Sequence, residues 1–292
     1  MTDSFDNFEN LREPMSMPDP RFPIKVHRTH FEHADTTLFA HHWHAHLEFH
    51  YIEAGEAVME CGTTAYEVQP GDLIVVNSNE LHHGVSRSSD LFYYALIVDT
   101  SLLHSQFEDA ADTKFIAPII QNRILFRNHI RGNAELNACV LSIAHELKTR
   151  SFGFELAVKS ELYRLLTLLM RGHVASVLTK DEYAERMKNI ERFEPVLHYI
   201  DLHFKEPLGV ELLSEIAGLS RFHFSRVFKQ LTGRTVTEYV TATRLDKAEY
   251  MLRHSPLTIS EIAAATGFND IFYFSRTFKK HKKQSPSRLR DV

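Results

Sequence analysis

From about residue 22 to residue 98 the chain alternates apolar and polar positions in short runs, clearest at 48–52, 57–61, 73–76 and 92–98. Gly55, Gly62, Pro70-Gly71-Asp72 and Asn77-Ser78-Asn79 separate the runs. Period-two runs bounded by turn residues predict strands, and several at near-regular spacing predict a sandwich or small barrel. After about Ser101 the period lengthens. Leu136, Val140, Ile143, Ala144 and Leu147 share one helical face, as do Leu156, Val158, Leu162, Leu165, Leu166 and Leu169. These faces predict an antiparallel helix pair over residues 133–148 and 154–171, turning at 150–153. Their apolar stripes need covering, either by the β unit or by a second copy of the chain. Residues 176–189 are charged and read as a linker, and the remainder of the chain reads as helices with short breaks. The polar first 21 residues, with Pro14, Pro18 and Pro20, read as a loose arm.

The helical second half repeats itself. Leu213-Ser214-Glu215-Ile216-Ala217 recurs as Ile259-Ser260-Glu261-Ile262-Ala263 at an offset of 46, and Phe224-Ser225-Arg226-Val227-Phe228-Lys229 recurs as Phe274-Ser275-Arg276-Thr277-Phe278-Lys279 at an offset of 50. Each copy predicts a short helix, a turn at Gly218 or Gly267, and a second helix, with Ser220 capping the first such helix. This is the helix–turn–helix pattern, whose second helix enters the DNA major groove. Phe224, Val227 and Phe228, with Phe274 and Phe278, fall on the inward face. The outward face carries Arg221, Phe222, Ser225, Arg226 and Lys229 in the first copy. In the second it carries Ile271, Phe272, Ser275, Arg276, Lys279 and Lys280. Mid-helix Arg suits bidentate reading of guanine, Ser is a small adaptable partner, and the Lys residues one turn later suit phosphates. Phe222 and Phe272 suit thymine methyls. A single helix over 237–254 joins the copies, and its length of about 27 Å approaches the roughly 34 Å of one DNA turn.

Charge sharpens this division. The whole chain carries −5, yet residues 186–292 hold 18 Lys and Arg against 12 Asp and Glu, a net +6, and residues 1–185 hold 15 against 26, a net −11. A basic helical half suits a polyanion partner. Only Cys61 and Cys139 are present, too few for a disulfide framework or a cysteine zinc site, as expected in a reducing compartment. No apolar run approaches the roughly 20 residues that span a bilayer, and the acidic first residues do not resemble a signal peptide, so a cytoplasmic location is expected.

The β half concentrates histidine, with ten of the chain's 19 before residue 101. His42, His44, His46, Glu48 and His50 alternate with Trp43, Ala45, Leu47, Phe49 and Tyr51, which predicts one strand presenting all five polar groups on one face. His42, His44, His46, Glu48 and His82 are the candidate effector-binding residues. His27, His30, His33 and His41 have no partner identifiable from spacing.

Arg244-Leu245, Ala263, Gly267-Phe268, Phe274-Ser275-Arg276-Thr277-Phe278-Lys279-Lys280 and Ser285-Pro286 together resemble the AraC-type (arabinose-regulator-like) family of bacterial transcription regulators, over about residues 190–290. Lys283 stands where the family pattern has Gly, and Ile271-Phe272 where polar readers are frequent. The resemblance implies that Phe222, Ser225 and Arg226, then Ile271, Phe272, Ser275 and Arg276, are the base-reading positions. His-x-His, then Glu and Gly55, resemble the first cupin motif, and Pro70-Gly71-Asp72 with His82-His83 the second. That implies either an effector pocket without a cofactor or, through His42, His44, Glu48 and His82, a divalent metal, as in cupin dioxygenases or isomerases.

The expected fold is therefore a two-domain α+β chain. It has an arm over 1–21, a cupin-like β-barrel with a helical pair over 22–175, a linker over 176–189 and an all-α domain with two helix–turn–helix units over 190–292. The expected function is a non-enzymatic regulator that binds double-stranded promoter or operator DNA under control of a small polar effector, such as a sugar. RNA polymerase and a second copy of the chain are the expected protein partners, and no membrane is involved. The alternative is a metal-binding cupin enzyme, or metal sensor, fused to a DNA-binding domain.

Overall fold

The computed structural model describes residues 12–13, 15–104 and 109–290. It divides between Lys188 and Asn189 into two compact units. The expected arm lies largely outside the described residues.

The N-terminal unit is built on antiparallel strands β1 (Ile24–Phe31), β2 (Thr37–His42), β3 (Leu47–Ala54), β4 (Ala57–Cys61), β5 (Thr64–Val68), β6 (Leu73–Val76), β7 (His82–Ser86) and β8 (Leu91–Val98). A short helix α1 (Ala117–Ile120) precedes β9 (Ile124–Phe126) and β10 (His129–Ile130). Helices α2 (Ala134–Thr149) and α3 (Phe154–Gly172) and strand β11 (Val174–Val177) come next. One sheet runs β1-β8-β3-β6-β10, a second runs β2-β7-β4-β5, and β9 pairs with β11.

Strand alternation explains the layering. In the five-stranded sheet, Leu47, Phe49, Leu73, Val75, Leu96 and Val98 point to one face and pack on the stripes of α2 and α3. Ile52, Ile74, Val76, Tyr93 and Ala95 point to the other face and meet Leu38, Ala57, Met59 and Cys61 of the four-stranded sheet. The expected helix pair is present with its turn: Asn133 caps α2, Arg150 is left-handed at its end, and Gly153 is left-handed at the start of α3. The five-residue polar face expected on one strand is not. β2 ends at His42 and β3 begins at Leu47, so His44 and His46 lie in the connection between the two sheets. Register shifts at Thr37/Phe39 and Phe39/His42 already bend β2 away from a uniform ladder.

The expected linker is also corrected. Val174–Val177 is strand β11, and α4 (Lys180–His203) begins three residues later. Thr179 and Glu182 bond reciprocally, the Glu182 carboxylate accepting from the Thr179 backbone at 2.8 Å and the Thr179 hydroxyl accepting from the Glu182 backbone at 3.2 Å. That Thr-x-x-Glu pair is a helix-start signal inside what reads as a charged spacer.

The C-terminal unit continues with α5 (Val210–Ile216), α6 (Arg221–Thr232), α7 (Val236–His254), α8 (Ile259–Ala265), α9 (Ile271–Lys282) and α10 (Pro286–Arg290). Ser220 and Asp270 cap α6 and α9, and capping boxes Thr235/Glu238 and Thr258/Glu261 start α7 and α8. Phe193, Phe224, Phe228 and Tyr239 pack ring against ring in the first unit at centroid distances of 5.3–5.5 Å along that chain of contacts. Phe268, Phe274 and Phe278 do the same in the second at 5.1 and 5.6 Å.

The two turn glycines differ in what surrounds them. Both have positive φ, but a β-carbon on Gly218 would meet nothing within 4 Å, whereas one on Gly267 would lie 2.8 Å from the Lys205 carbonyl. Arg244 explains the crowding: its guanidinium donates to the Phe204 and Glu206 carbonyls, holding the end of α4 against this turn. Gly267→Ala should therefore lower stability by about 1–3 kcal/mol and by more than Gly218→Ala, which carries only the backbone penalty. Urea midpoints followed by circular dichroism give the comparison; equal losses would mean the turn tolerates the contact.

Candidate effector site and nucleic-acid interface

Four residues from four parts of the N-terminal unit meet between the sheets. His42 closes β2, His44 lies in the β2–β3 connection, Glu48 is the second residue of β3, and His82 opens β7. One ligand atom from each of the four lies within 4.8 Å of every other. The pairing that places them is direct: His42 and His82 are Cα partners in the β2–β7 ladder. Glu48 is 4% exposed, and His44 and His82 are 2% exposed.

The hydrogen bonds around this cluster turn imidazole nitrogens toward a single carboxylate. His42 Nδ1 donates to the Ala40 carbonyl at 2.9 Å, and His82 Nδ1 donates to the Glu80 carbonyl at 2.9 Å. A neutral imidazole has one N–H, so each of these rings turns the lone pair of Nε2 inward. His82 Nε2 then lies 3.1 Å from Glu48 Oε2, and the pair has no hydrogen-bond geometry. Two acceptors this close repel unless a proton or cation stands between them. His44 Nε2 approaches the same Oε2 at 3.0 Å, while its Nδ1 is buried without a partner.

The sequence pattern puts His50 on the polar face without assigning it to the site, and the structure sets it directly beside the cluster. His50 Nε2 is 3.4 Å from Glu48 Oε1, and neither ring nitrogen has a hydrogen-bond partner. Burial pushes this imidazole down to about 4, so it is neutral at pH 7. Burial alone would raise the Glu48 carboxyl, but the electrostatic attraction of His50 and the hydrogen bond from His44 oppose it and hold it well below the usual carboxylate range. His46 is the candidate that the structure separates from the cluster. It turns toward Asp99, with Nε2 at 3.5 Å from Oδ2. Asn77, in the turn between β6 and β7, is committed elsewhere, its amide bonding both the N–H and the carbonyl of Phe126 at 2.8 and 3.0 Å.

On the C-terminal unit, α6 presents Arg221, Phe222, Ser225, Arg226 and Lys229 to solvent, and α9 presents Ile271, Phe272, Arg276, Lys279 and Lys280, with Ser275 half-buried. Phe222 and Phe272 hold matching positions and are 84% and 82% exposed, unusual for phenylalanine without a partner surface. Arg221 is turned back to Glu211 in a 2.8 Å ion pair, which favours a positioning contact for it. Tyr273, half exposed on the first turn of α9, is not marked by the sequence pattern; its position corresponds to His223 and carries no repeat signal.

Comparison with known proteins gives the same division. The AraC-like ligand binding domain family matches residues 26–166, and the helix-turn-helix domain family matches residues 213–291. The chain is 24% identical over 284 residues to the uncharacterized HTH-type transcriptional regulator YdeC of Bacillus subtilis, covering 95% of each chain. It is 44% identical over 83 residues to the HTH-type transcriptional activator Btr of the same organism, covering 28% of this chain but 16% of that one. A structure of unsaturated fatty acid-bound ToxT from Vibrio cholerae aligns over 91% of this chain and 94% of its own at 16% identity, with a TM-score of 0.48. Among the described residues, no helix is long and apolar enough to cross a membrane.

Proposed function

This chain belongs to the AraC family of DNA-binding transcriptional regulators, which are not enzymes, and we propose that the effector its ligand-binding domain senses is a divalent transition-metal ion held by His42, His44, Glu48 and His82. The observation that carries this reading is the convergence of His44 and His82 Nε2 on Glu48 Oε2 at 3.0 and 3.1 Å, with His82 Nδ1 aimed by its bond to the Glu80 carbonyl. Three imidazoles and a carboxylate are a donor set for zinc, iron, nickel or manganese. Tetrahedral zinc, with bonds of about 2.0–2.1 Å, needs donors about 3.4 Å apart, so small side-chain rotations suffice. The backbone bonds at Nδ1 of His42 and His82 aim both rings, as outer-shell partners of metal ligands do. A sugar is less well served by a closed cluster of acceptors around one buried carboxylate. His50 stands beside Glu48, its Nε2 3.4 Å from the other carboxylate oxygen.

DNA reading falls to α6 and α9. Arg226 and Arg276 contact base edges with Ser225 and Ser275, Phe222 and Phe272 meet thymine methyls, and Lys229, Lys279 and Lys280 meet phosphates. A homodimer is supported by the exposed Phe152 in the α2–α3 turn and Leu156 in the first turn of α3, and RNA polymerase is the expected partner at a promoter. Metal in the sensor shifts an equilibrium between two arrangements of the protein, by no more than its difference in affinity for them.

The test uses full-length protein freed of metal, and DNA selected from a random library by the protein in zinc and, separately, in chelator. Zinc at 100 times its dissociation constant should raise stability by about 2.7 kcal/mol and change affinity for the selected DNA, and Glu48→Gln should remove both effects. Thermal and DNA-binding curves indifferent to zinc, iron, nickel, manganese and chelator, but shifted by a sugar, would overturn the metal reading and leave the DNA reading intact.

A further inference from the structure

The histidines beside the inner cluster come in adjacent pairs, His41-His42 on β2 and His82-His83 on β7. Because neighbours on a strand point to opposite faces, each pair sends one imidazole inward and one outward. His42 and His82 face the inner cluster. His41 and His83 emerge together on the other face of the four-stranded sheet, their rings parallel within 6° and 4.2 Å apart between centroids. Glu60 joins them from β4, where it is the Cα partner of His83. His41 Nε2 lies 3.4 Å from Glu60 Oε2, and one donor atom from each of the three residues lies within 4.8 Å of the others.

We propose that His41, Glu60 and His83 form a second divalent-metal site, on the outward face of the same sheet and more weakly binding than the inner one. Two imidazoles and a carboxylate from three hydrogen-bonded strands leave half of an octahedral coordination sphere to water, the arrangement of an exchangeable site. Glu60 is more exposed than His41, with 29% of its side chain in solvent against 12%, so an ion enters from the Glu60 side. The stacked rings hold their in-plane lone pairs in parallel planes, so one ring turns about its side-chain torsions to bring both nitrogens onto one ion, while placement on strands fixes the three backbones better than a loop would. The inner site binds through four groups of which three are buried, and this one through three of which only His83 is buried, so the two fill at different metal concentrations.

The experiment is a competition titration of the full-length, metal-free protein with zinc alone against a chromophoric chelator, repeated with cobalt to read coordination from its visible absorption. Wild type should take up two equivalents in separable steps. Glu60→Gln and His83→Gln should each weaken the second step by roughly tenfold or more and leave the first in place. Glu67→Gln, at an exposed position on neighbouring β5, should leave both unchanged. Matching circular dichroism and unfolding midpoints establish that each variant is folded.

The outcomes separate this proposal from the reading of the inner cluster. One equivalent, lost in Glu48→Gln but untouched by Glu60→Gln and His83→Gln, overturns the outer site alone. One equivalent lost in Glu60→Gln but kept in Glu48→Gln supports the outer site and overturns the inner one. No uptake overturns both, as does uptake that Glu67→Gln reduces as much as Glu60→Gln, since that is unspecific carboxylate binding.

Discussion

Replacing Arg226 and Arg276 together by alanine should weaken binding to selected DNA by about thirtyfold to ten-thousandfold while leaving binding to random DNA nearly unchanged. Both side chains are exposed at the same step of their helices, α6 and α9, each with a serine one residue before and a lysine three residues after. A bidentate arginine on guanine is worth about 1–3 kcal/mol. The two readers sit on separate helices, so their losses should add. Fluorescence anisotropy at several salt concentrations tests the assignment. A base reader leaves the salt dependence almost intact, whereas each lost phosphate contact lowers the slope by about 0.9. If the double variant weakened all sequences alike and flattened the salt slope, both arginines would be phosphate anchors and specificity would lie with the phenylalanines.

Lys282→Ala should lower the stability of the C-terminal unit by about 3–5 kcal/mol, a large share of what a domain of this size has. The ammonium sits at the end of α9, 2.5 Å from Asp246 and 2.7 Å from Glu249 of α7. Burial alone would lower its pKa, but the two carboxylates outweigh this and raise it, so it stays charged across the usual pH range. Removing it leaves Glu249, itself 3% exposed, near Asp246 and with the Arg253 guanidinium farther off at 3.5 Å. Two nearby carboxylates without their central cation are costly, which is why deletion hurts more than the pair's net worth. Lys279→Ala, on the exposed side of the same helix, should change stability by less than about 0.5 kcal/mol. Far-UV circular dichroism in urea reports the helices of both units, and the fluorescence of Trp43, the chain's single tryptophan, reports the N-terminal unit, so the circular-dichroism change that fluorescence does not follow belongs to the C-terminal helices. A circular-dichroism transition unmoved by Lys282→Ala would show that water reaches the two carboxylates and replaces the ammonium.

Much of the C-terminal unit is legible because its signals are local. Ser220, Gly218 and the Phe224/Phe228 spacing define α6 within a dozen residues, and the repeat confirms each element at α9. The same locality accounts for α2 and α3, whose cap, stripe and turn lie in sequence order. What escapes is decided across strands. Alternation from His42 to His50 reads as one strand, yet the chain passes from one sheet to the other between Trp43 and His46, so the donors are gathered by fold and not by period. Nothing in the stretch around His41 announces Glu60 and His83, because they arrive from two other strands. His30 likewise finds Asp90 at 3.1 Å and stacks on Phe92, both from the strand end opposite. The linker is a different failure: Thr179 and Glu182 carry the start signal for α4, but the apolar residues that make the helix worth forming, Ile190, Phe193 and Leu197, lie beyond it.

The lysine that replaces the family's glycine at residue 283 acts on the unfolded chain as well as the folded one. α6 ends at Gly233 with φ +73, and α9 ends at Lys283 with φ +60, so the second unit adopts the left-handed reversal without glycine. A lysine there bears about 1 kcal/mol or more of backbone strain in the folded state. It also denies the unfolded ensemble the many conformations a glycine would open, worth about 0.4–1 kcal/mol in the opposite direction. The two nearly cancel, so the helix end keeps its shape at little net cost. A charge that glycine could not carry is gained beside Lys279 and Lys280, at the negative pole of the α9 dipole.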